Sequence, residues 1–284
     1  MKKCLLTGSS GFIGLALRKK LTEKGFIVKT IHHNYLHQQK KLKQIISAFS
    51  PNYIFHLATY GNKYSQNDDL EIIRANIIAT VNLLYATANI NYEAFINTGS
   101  SSEYGTKSKQ MSESDSLDTD TFYGVTKASA TLLCRAYAKK YSKPVVTTRP
   151  FSVYGPHDDI NKFIQVAIRS FQDNSILKLA SGVHDWIYVD DYINGILKVA
   201  KNAQTLKGRA VNIGTGIQST NHEVIKTLEK IFRKKIKIIE INRVRIYDTN
   251  ISWKADNSLL KSLGWLPKYS LKRGLMKTMN EDNK

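Results

Sequence analysis

The sequence predicts an α/β fold: a doubly wound parallel sheet covered by helices on both faces, followed by a smaller C-terminal α/β lobe. Two observations predict it. Buried-strand patterns alternate with helical patterns through the first half of the chain, and a glycine-rich turn joins the first strand to the first helix. Parallel strands require such crossover helices, which bury both faces of the sheet.

Each element follows from its apolar pattern and its boundaries. Ile13, Leu17 and Leu21 recur at helical spacing, and Gly25 ends that helix. Other helical patterns cover 42–49, 72–88, 123–141, 163–171 and 220–232, the last with a capping box at Thr220 and Glu223. A further helix starts near Asp190. Short apolar runs predict strands at 3–7, 26–31, 53–58, 94–98, 145–148, 186–189 and 236–241.

Length and composition exclude several classes of protein. The chain has 284 residues, enough for one large or two-lobed domain, and it contains no apolar run long enough to span a membrane. Its start reaches Gly8 too soon to form the apolar core of a signal peptide. Cys4 and Cys134 are expected as buried free thiols, which fits a reducing cytoplasm. We therefore expect a cytoplasmic protein without a membrane partner.

The net charge of +19 raises the question of nucleic-acid binding. The lysines are scattered along the chain and do not form one stripe, so charge alone does not indicate that function. A positive surface also attracts anionic cofactors and substrates such as dinucleotides and sugar nucleotides. We expect no nucleic-acid partner.

The turn Gly8-x-x-Gly11-x-x-Gly14 lies directly between the first strand and the first helix. That context is typical of a dinucleotide site, in which glycines allow close approach to a pyrophosphate and the helix N-terminus binds it. The sequence therefore predicts a Rossmann-like NAD(P)-binding domain at 1–156, which also receives roughly 185–215. Residues 157–284 are expected to form mainly the substrate-binding lobe.

The end of the second strand favours NADP(H), with NAD(H) left open. An acidic residue there would bind the ribose 2′-hydroxyl and repel a 2′-phosphate, but the segment is His32-His33-Asn34, with Lys29 and Arg18 nearby in sequence. His37 completes a histidine cluster that could suggest a metal. No carboxylate or thiol accompanies it, so we expect none.

Tyr123 and Lys127 are four residues apart, on one face of a predicted helix. A free tyrosine has a pKa of about 10, and a nearby ammonium lowers it by favouring the phenolate. Tyr123 could then exchange a proton with a substrate oxygen while hydride moves at carbon. Ser100, in a cluster of three serines, could hydrogen-bond the same oxygen. The three residues predict a nicotinamide-dependent oxidoreductase.

Here the chain resembles the extended short-chain dehydrogenase/reductase family, in its NAD-dependent epimerase/dehydratase branch that modifies nucleotide sugars. The resemblance covers nearly the whole length. Its landmarks are His56-Leu57-Ala58-Thr59, Asn76, Arg149-Pro150-Phe151-Ser152-Val153-Tyr154-Gly155-Pro156, His184-Asp185-Trp186-Ile187-Tyr188-Val189-Asp190-Asp191, Asn212-Ile213-Gly214-Thr215-Gly216 and the tail from Ala255-Asp256 to Leu263-Gly264-Trp265-Leu266-Pro267-Lys268.

The resemblance implies a set of site residues and a homodimer. Ser100, Tyr123 and Lys127 would be catalytic. The cofactor would contact Gly8, Ser10, Gly11, Phe12, Ile13, Gly14, His32, His33, Asn34, Leu57, Ala58, Thr59, Asn76, Thr98, Tyr123, Lys127, Pro150, Ser152 and Val153. The nucleotide sugar would contact Tyr60, Ser101, Ser102, Phe151, Ser152, His184 and Arg245. The helices at 72–88 and 123–141 would pair across a two-fold axis.

Departures from the family pattern narrow the reaction. Sugar-nucleotide dehydratases and decarboxylases carry a glutamate base two residues after the catalytic Ser/Thr, and GDP-fucose synthases carry a cysteine there. This chain has Ser102 in that place, and Glu103 is displaced by one residue. C4 ketoreduction and C4 epimerisation remain. The acid-free end of the second strand and the short 31–51 stretch favour the reductase, most like nucleotide-sugar 4-ketoreductases of the CDP-abequose and CDP-paratose synthase type.

Two alternative functions stay open, as does the effect of one departure from the family pattern. An NAD-dependent C4 epimerase would use the same three catalytic residues. A non-catalytic NADP-binding sensor or RNA-binding relative would fit the positive charge but has no need of Tyr123 together with Lys127. His184 stands where the family often has an arginine that grips the diphosphate. Arg245 resembles the second diphosphate arginine, although a solvated surface charge is its other interpretation.

Overall fold

The computed structural model describes residues 1–63, 65–242 and 251–282, which form strands and helices in alternation. The strands are β1 (Lys3–Thr7), β2 (Ile27–Ile31), β3 (Tyr53–His56), β4 (Ala94–Thr98), β5 (Val145–Pro150), β6 (Ser152–Tyr154), β7 (Leu177–Leu179), β8 (Val183–His184), β9 (Trp186–Tyr188), β10 (Ala210–Ile213), β11 (Ser219–Thr220) and β12 (Ile238–Glu240). The helices are α1 (Phe12–Glu23), α2 (Gln39–Phe49), α3 (Asp69–Ile73), α4 (Ala79–Ala86), α5 (Phe122–Tyr141), α6 (Phe163–Asp173), α7 (Val189–Lys201), α8 (Asn221–Phe232), α9 (Ser258–Ser262) and α10 (Leu271–Asp282).

Six parallel strands form the central sheet in the order β10-β5-β4-β3-β1-β2. The predicted Rossmann-like doubly wound sheet is therefore confirmed. The strand order reverses between β1 and β3. In open α/β sheets the crevice at the carboxyl ends of such neighbouring strands is where ligands bind.

The sheet is buried on both faces because alternate residues of its strands enter two different apolar cores. Cys4 and Leu6 of β1 pack in one core with Leu17 and Leu21 of α1, together with apolar residues of α6, α7 and α8. Leu5 faces the opposite core, which also contains residues of α2, α4 and α5. The strands are continuously apolar because helices cover both faces of the sheet.

The second half of the chain contributes to the sheet as well as to its own lobe. Strand β10 pairs with β5 at the sheet edge, in register from Ala210 beside Thr147 to Ile213 beside Pro150. Three short two-stranded pairs, β6 with β9, β7 with β12 and β8 with β11, lie outside the main sheet. The division at residue 156 into two domains stays a prediction.

The predicted single helix at 72–88 is broken in structure. It starts earlier, at α3, because the Asp68 side chain accepts the Glu71 backbone N–H at 3.1 Å. A π-helical turn, Arg74–Ile78, follows, and α4 ends at Ala86. Such turns insert one extra residue per turn and often mark functional sites.

Other boundaries differ by a few residues, and seven elements were not predicted. The strand predicted at 53–58 ends at His56, because the next residues leave the sheet to meet the glycine-rich turn. The unpredicted elements have patterns too short or too weakly periodic to be predicted: they are β6, β7, β8, β10, β11, α9 and α10. In the described part of the chain, no helix is both long enough and apolar enough to cross a membrane.

Both cysteines are free and buried, as predicted. Cys4 and Cys134 belong to the two different cores, so the sheet separates them.

Leu17→Ala should lower the free energy of unfolding by about 2–5 kcal/mol, because the side chain of this α1 residue is fully buried and truncation leaves a cavity. Leu15→Ala on the same helix is the matched control, since Leu15 is 45% exposed and its truncation should change stability by less than about 1 kcal/mol. Urea unfolding of both variants measures the difference, and equal losses would contradict this assignment of the buried face.

Candidate active site

The glycine-rich turn lies against the end of β3, and two of its glycines are required by packing. Gly8 has a φ of +67°, and a Cβ there would approach the Ala58 nitrogen to 2.6 Å. A side chain on Gly14 would collide with the Gly8 carbonyl. Gly11 differs: its nearest neighbour would be the Gly8 oxygen at 3.5 Å, an ordinary contact. The protein itself therefore does not demand glycine at position 11.

Helix α1 begins beside this open glycine. Gly11 is its N-cap and has no side chain to bind the N–H groups of the first turn. Those groups and the helix dipole make an anion-binding site. The exposed Gly11, with Phe12 and Ile13 half-buried behind it, therefore fits the pyrophosphate of a dinucleotide.

A buried hydrogen-bond chain fixes the end of β3 next to this turn. The Thr80 hydroxyl donates to the Asn76 carbonyl at 2.7 Å, so it accepts from His56 Nε2 at 3.0 Å. His56 Nδ1 then accepts from the Thr7 hydroxyl at 2.7 Å, and that oxygen accepts the Ala58 N–H at 3.2 Å. Burial, with the nearby charge of Lys127, lowers the pKa of His56 to about 3. The imidazole is neutral, with its proton on Nε2.

Asn76 ties the segment after β3 to the start of α5. Its oxygen accepts from the Thr59 hydroxyl at 2.9 Å and the Tyr60 N–H at 3.0 Å. Its nitrogen donates to the Tyr60 carbonyl at 2.9 Å and to the Thr126 hydroxyl at 3.0 Å. Thr126 in turn donates to the Tyr123 carbonyl at 3.0 Å. The structure thus gives Asn76 a positioning role, and its direct contact with a cofactor stays a prediction.

Ser100 follows β4 and caps a short 3₁₀ turn, Ser101–Tyr104. Its Oγ accepts the Ser102 N–H at 3.0 Å, which leaves its own O–H to donate elsewhere. Ser100 is buried to 7% exposure, and Ser101 beside it is also buried. Thr98, a further predicted cofactor residue, is the buried last residue of β4.

Tyr123 and Lys127 occupy the first turns of α5, as the spacing predicted. The Thr121 side chain accepts the Gly124 N–H at 3.1 Å and so fixes where the helix begins. Burial lowers the pKa of Lys127 to about 8, against the opposing effect of the Glu103 carboxylate. Lys127 is thus a buried amine whose charge depends on its neighbours.

Sequence reasoning did not find the network beneath Ser100. Glu103 Oε2 accepts from Arg149 Nε at 2.8 Å, and both side chains are at most 3% exposed. Arg149 also donates to the Tyr104 hydroxyl at 2.8 Å, which donates to Asn212 at 2.7 Å. A pair of charges 46 positions apart gives no signal in either local pattern. The displaced glutamate therefore points into the protein.

The segment after β2 carries two histidines and no adjacent acid of its own. The His32 ring accepts the Asn34 N–H at 3.4 Å and packs on His33 with ring centroids 4.2 Å apart. Burial, followed by the charges of Arg74 and, more weakly, His33, lowers the pKa of His37 despite the opposing Glu71. Arg74 is thus a nearby cation that sequence reasoning missed.

Lys29, which sequence proximity suggested, lies instead over the Phe49 ring at 5.4 Å. No group of three or more His, Cys, Asp or Glu residues that could hold a metal ion occurs within the described ranges.

On the substrate side, the structure brings Ser152 and His184 together, with Oγ and Nδ1 3.2 Å apart. The His184 ring lies 4.7 Å from that of Trp186. Phe151 is buried among apolar residues and Val153 is half-buried. Arg245 lies outside the described residues.

The carboxyl ends of β1, β3, β4 and β5 bring most of these residues to one edge of the sheet. Residues 4–214 match the model of the NAD dependent epimerase/dehydratase family. That match spans well over half of the chain, so the protein belongs to this family of extended short-chain dehydrogenases/reductases. It is an enzyme of the NAD(P)-dependent oxidoreductase type.

Individual relatives are similar to this chain over nearly its whole length. The chain is 26% identical to a UDP-glucuronate 4-epimerase of Thermodesulfobacterium geofontis, across 97% of this chain and 94% of that protein. It is 26% identical to the CDP-abequose synthase of Salmonella typhimurium, across 95% of each. The crystal structure of a UDP-glucuronic acid 4-epimerase from Bacillus cereus, in complex with UDP-glucuronic acid and NAD, superposes with a TM-score of 0.86 at 27% identity, covering 99% of both chains.

Gly11→Ala should preserve the fold and weaken dinucleotide binding, because its backbone φ of −79° suits alanine while the new methyl group faces the pyrophosphate position. We expect a loss of stability below about 1 kcal/mol and a dissociation constant for NADPH or NADH raised by about tenfold or more. Fluorescence titration and thermal unfolding measure the two effects.

Gly14→Ala is the contrasting variant, because its methyl group would strike the protein's own backbone at Gly8. It should lower the unfolding temperature clearly. If both variants behaved alike, the distinction between a packing glycine and a ligand-facing glycine would be wrong.

Proposed function

We propose that this enzyme reduces the C4 keto group of a nucleotide-linked 4-keto-6-deoxy or 3,6-dideoxy sugar with NADPH, in the synthesis of surface polysaccharide precursors such as those of lipopolysaccharide. The observation that carries the proposal is the combination of Ser100, Tyr123 and Lys127 with an inward-pointing Glu103. A nucleotide-sugar substrate is supported by relatives named as UDP-glucuronate epimerase and CDP-abequose synthase.

The residues after β1, β2 and β3 would hold the cofactor, whose nicotinamide supplies the hydride when bound. The first turn of α1 would bind the pyrophosphate through its N–H groups. Leu57, Ala58 and Thr59 are held beside that turn by the Thr7–His56 hydrogen bond and by Asn76. Pro150 and Val153, at the end of β5 and in β6, would border the nicotinamide.

The proton chemistry would belong to three side chains. The Ser100 O–H, which its own acceptor bond leaves to donate outward, would hydrogen-bond the C4 carbonyl oxygen. Tyr123 would give its phenolic proton to that oxygen as it gains negative charge. The Lys127 ammonium, one turn along α5, would stabilise the phenolate that remains.

The absence of a suitable carboxylate at residue 102 supports reduction over water elimination. A dehydratase needs a base that can reach the sugar, and Ser102 cannot serve as one at neutral pH. The neighbouring Glu103 carboxylate is fully buried and bonded to Arg149 and to the Ser100 N–H. For Glu103 to turn toward the substrate, its ion pair with Arg149 would have to break.

The cationic surroundings of the β2 end support NADP(H). The guanidinium of Arg74 lies close enough to lower the pKa of His37, and it would attract a 2′-phosphate there. Glu71 lies near the same group and opposes this attraction in part. We attribute the preference for NADP(H) to electrostatic attraction and not to steric exclusion of NAD(H). The preference should therefore weaken as the salt concentration rises.

Substrate contacts would come from the loop and strand ends facing the nicotinamide. We propose that His184 and Ser152, joined at 3.2 Å, meet the nucleotide diphosphate with Arg245. The sugar would lie near Tyr60, Ser101, Ser102 and Phe151. The free thiols fit a reducing compartment, and we propose that the enzyme works in the cytoplasm.

A second candidate is NAD-dependent C4 epimerisation. It is favoured by the epimerase relatives, one of them solved with NAD. Ser100, Tyr123 and Lys127 would serve either reaction, since epimerisation begins with removal of hydride from C4 and ends with its return. The acid-free end of β2 and the short 31–51 segment favour the reductase.

We also propose a homodimer, formed through two neighbouring helical surfaces. The helices from Asp69 to Ala86 expose Leu70, Ile78 and Tyr85 at intervals that place them on one face, and α5 exposes Val125 and Leu132 likewise. Contiguous apolar side chains on a surface mark interaction sites. A second copy of the same surface would cover them by two-fold symmetry.

Purified enzyme mixed with NADPH and a panel of CDP-, dTDP-, GDP- and UDP-linked 4-keto-deoxy sugars should lose NADPH absorbance with at least one member. Tyr123→Phe should reduce that turnover by about 10²–10⁴-fold, because proton transfer is lost, while NADPH affinity is retained. Stopped-assay analysis of the sugar nucleotide should show one reduced product per NADPH.

Other outcomes have distinct meanings. NAD retained through purification, with interconversion of 4-epimers and no net NADPH loss, would establish the epimerase. Unchanged properties of Tyr123→Phe, with cofactor binding and no turnover of any sugar nucleotide, would favour a non-catalytic binding protein.

Leu132→Asp should convert the dimer to monomer, because the new carboxylate would be buried against its symmetry mate. Multi-angle light scattering measures the mass. Ile176→Asp is the matched control: Ile176 is similarly exposed but lies outside both helices, so it should remain dimeric. A monomeric wild-type chain would overturn the proposed interface.

A further inference from the structure

Glu103 meets two parts of the proposed catalytic machinery from below. Its Oε1 accepts the Ser100 N–H at 2.8 Å, which closes a reciprocal capping box with the Ser100 side chain. Its charge also supports the ammonium form of Lys127, which comes from a different element, α5. The same carboxylate therefore hydrogen-bonds the turn that carries Ser100 and acts electrostatically on Lys127.

Arg149 holds this carboxylate ionised. Burial alone raises the pKa of Glu103, yet both of its oxygens accept from N–H donors. One of those donors is the guanidinium of Arg149, which stays charged under all ordinary conditions. Hydrogen bonds from N–H donors and the adjacent guanidinium charge both stabilise the carboxylate over the protonated acid, so they oppose the effect of burial.

The space for Glu103 is built into the backbone. A Cβ at Gly99 would collide with Glu103 Oε1 and approach the Thr147 methyl group to 2.8 Å. Glycine at position 99 thus lets the carboxylate lie directly under the chain that leads from β4 to Ser100. The lack of a side chain at Gly99 is therefore necessary for the Glu103 carboxylate to lie where it does.

The other groups around Lys127 cannot replace this counterion. His56 on β3 is neutral, since its pKa is about 3. Burial raises the pKa of Cys134 on α5 to about 12, so its thiol is also neutral. Tyr123 is neutral whenever it can donate a proton. Among the titratable groups of the described residues that influence Lys127, Glu103 supplies the negative charge.

We infer that Glu103 is a positioning residue of this active site: it anchors the turn that carries Ser100, and its buried charge favours the ammonium form of Lys127. Its catalytic consequence rests on the proposed function, but its effect on the charge of Lys127 does not. The carboxylate that a dehydratase would direct at substrate serves here, one position later, to sustain the charge of the lysine.

The direct test is an NMR titration of protein labelled with ¹³C at lysine Cε. Lys127→Met identifies the Lys127 resonance by its loss. In the wild type this resonance should titrate near pH 8, well below ordinary lysines. Glu103→Gln keeps an acceptor for the Ser100 N–H but removes the charge, so the midpoint should fall by about one pH unit or more.

Glu113→Gln is the matched control. Glu113 is a half-buried glutamate of the same network and likewise accepts a backbone N–H, that of Asn212, at 2.9 Å. Its substitution should leave the Lys127 midpoint unchanged. If Glu103→Gln fails to fold because Arg149 is left unpaired, the double variant Glu103→Gln/Arg149→Met removes both charges and should give a smaller downward shift, because a neighbouring positive charge is lost as well.

Kinetics then test the catalytic consequence. At pH 8 a one-unit fall in the Lys127 midpoint should reduce kcat of Glu103→Gln about fivefold, and at pH 6.5 the deficit should nearly vanish because the lysine is recharged. Recovery at lower pH distinguishes a lost counterion from general structural damage.

The outcomes separate the two proposals. An unchanged Lys127 midpoint in Glu103→Gln, or an equal shift in Glu113→Gln, would overturn the role of Glu103. A shifted midpoint with no turnover of any sugar nucleotide in the wild type would retain that role and overturn only the proposed function.

Discussion

The buried ion pair between Glu103 and Arg149 is the interaction on which the candidate active site depends. Two charges removed from water are tolerated only when their remaining donors and acceptors are also satisfied. Here the carboxylate accepts the Ser100 N–H, and the guanidinium donates to the Tyr104 hydroxyl, which donates in turn to Asn212 on β10. One pair therefore connects β4, β5 and β10 beneath the serine that would contact substrate.

A second constraint is the close contact between two chain segments at the reversal of strand order. The turn after β1 and the segment after β3 approach so closely that Gly8 admits no side chain. The neutral His56 and the amide of Asn76 then fix the neighbouring backbone through directed hydrogen bonds. This edge of the sheet is therefore fixed by hydrogen bonds of the buried His56 and Asn76 side chains.

The sequence predicted what local patterns encode and missed what depends on distant partners. Apolar runs identified five of the six sheet strands and missed β10, and the spacing of Tyr123 and Lys127 placed both on α5. The π turn at Asn76 was missed because the helical pattern does not encode it, and the hydrogen bonds of Asn76 join Thr59, Tyr60 and Thr126, which are distant in sequence. Glu103 looked like a displaced base, since its partner Arg149 is visible only after folding.

The placement of the two thiols has a practical consequence for following the opening of this molecule. Cys4 and Cys134 lie on opposite sides of the sheet, and burial raises the pKa of each, so hardly any thiolate is present in the folded protein. Alkylating reagents react with thiolate that solvent can reach. The rate at which each cysteine is modified therefore reports how often its own side of the sheet opens. The two cysteines are thus independent probes of local opening that require no substitution.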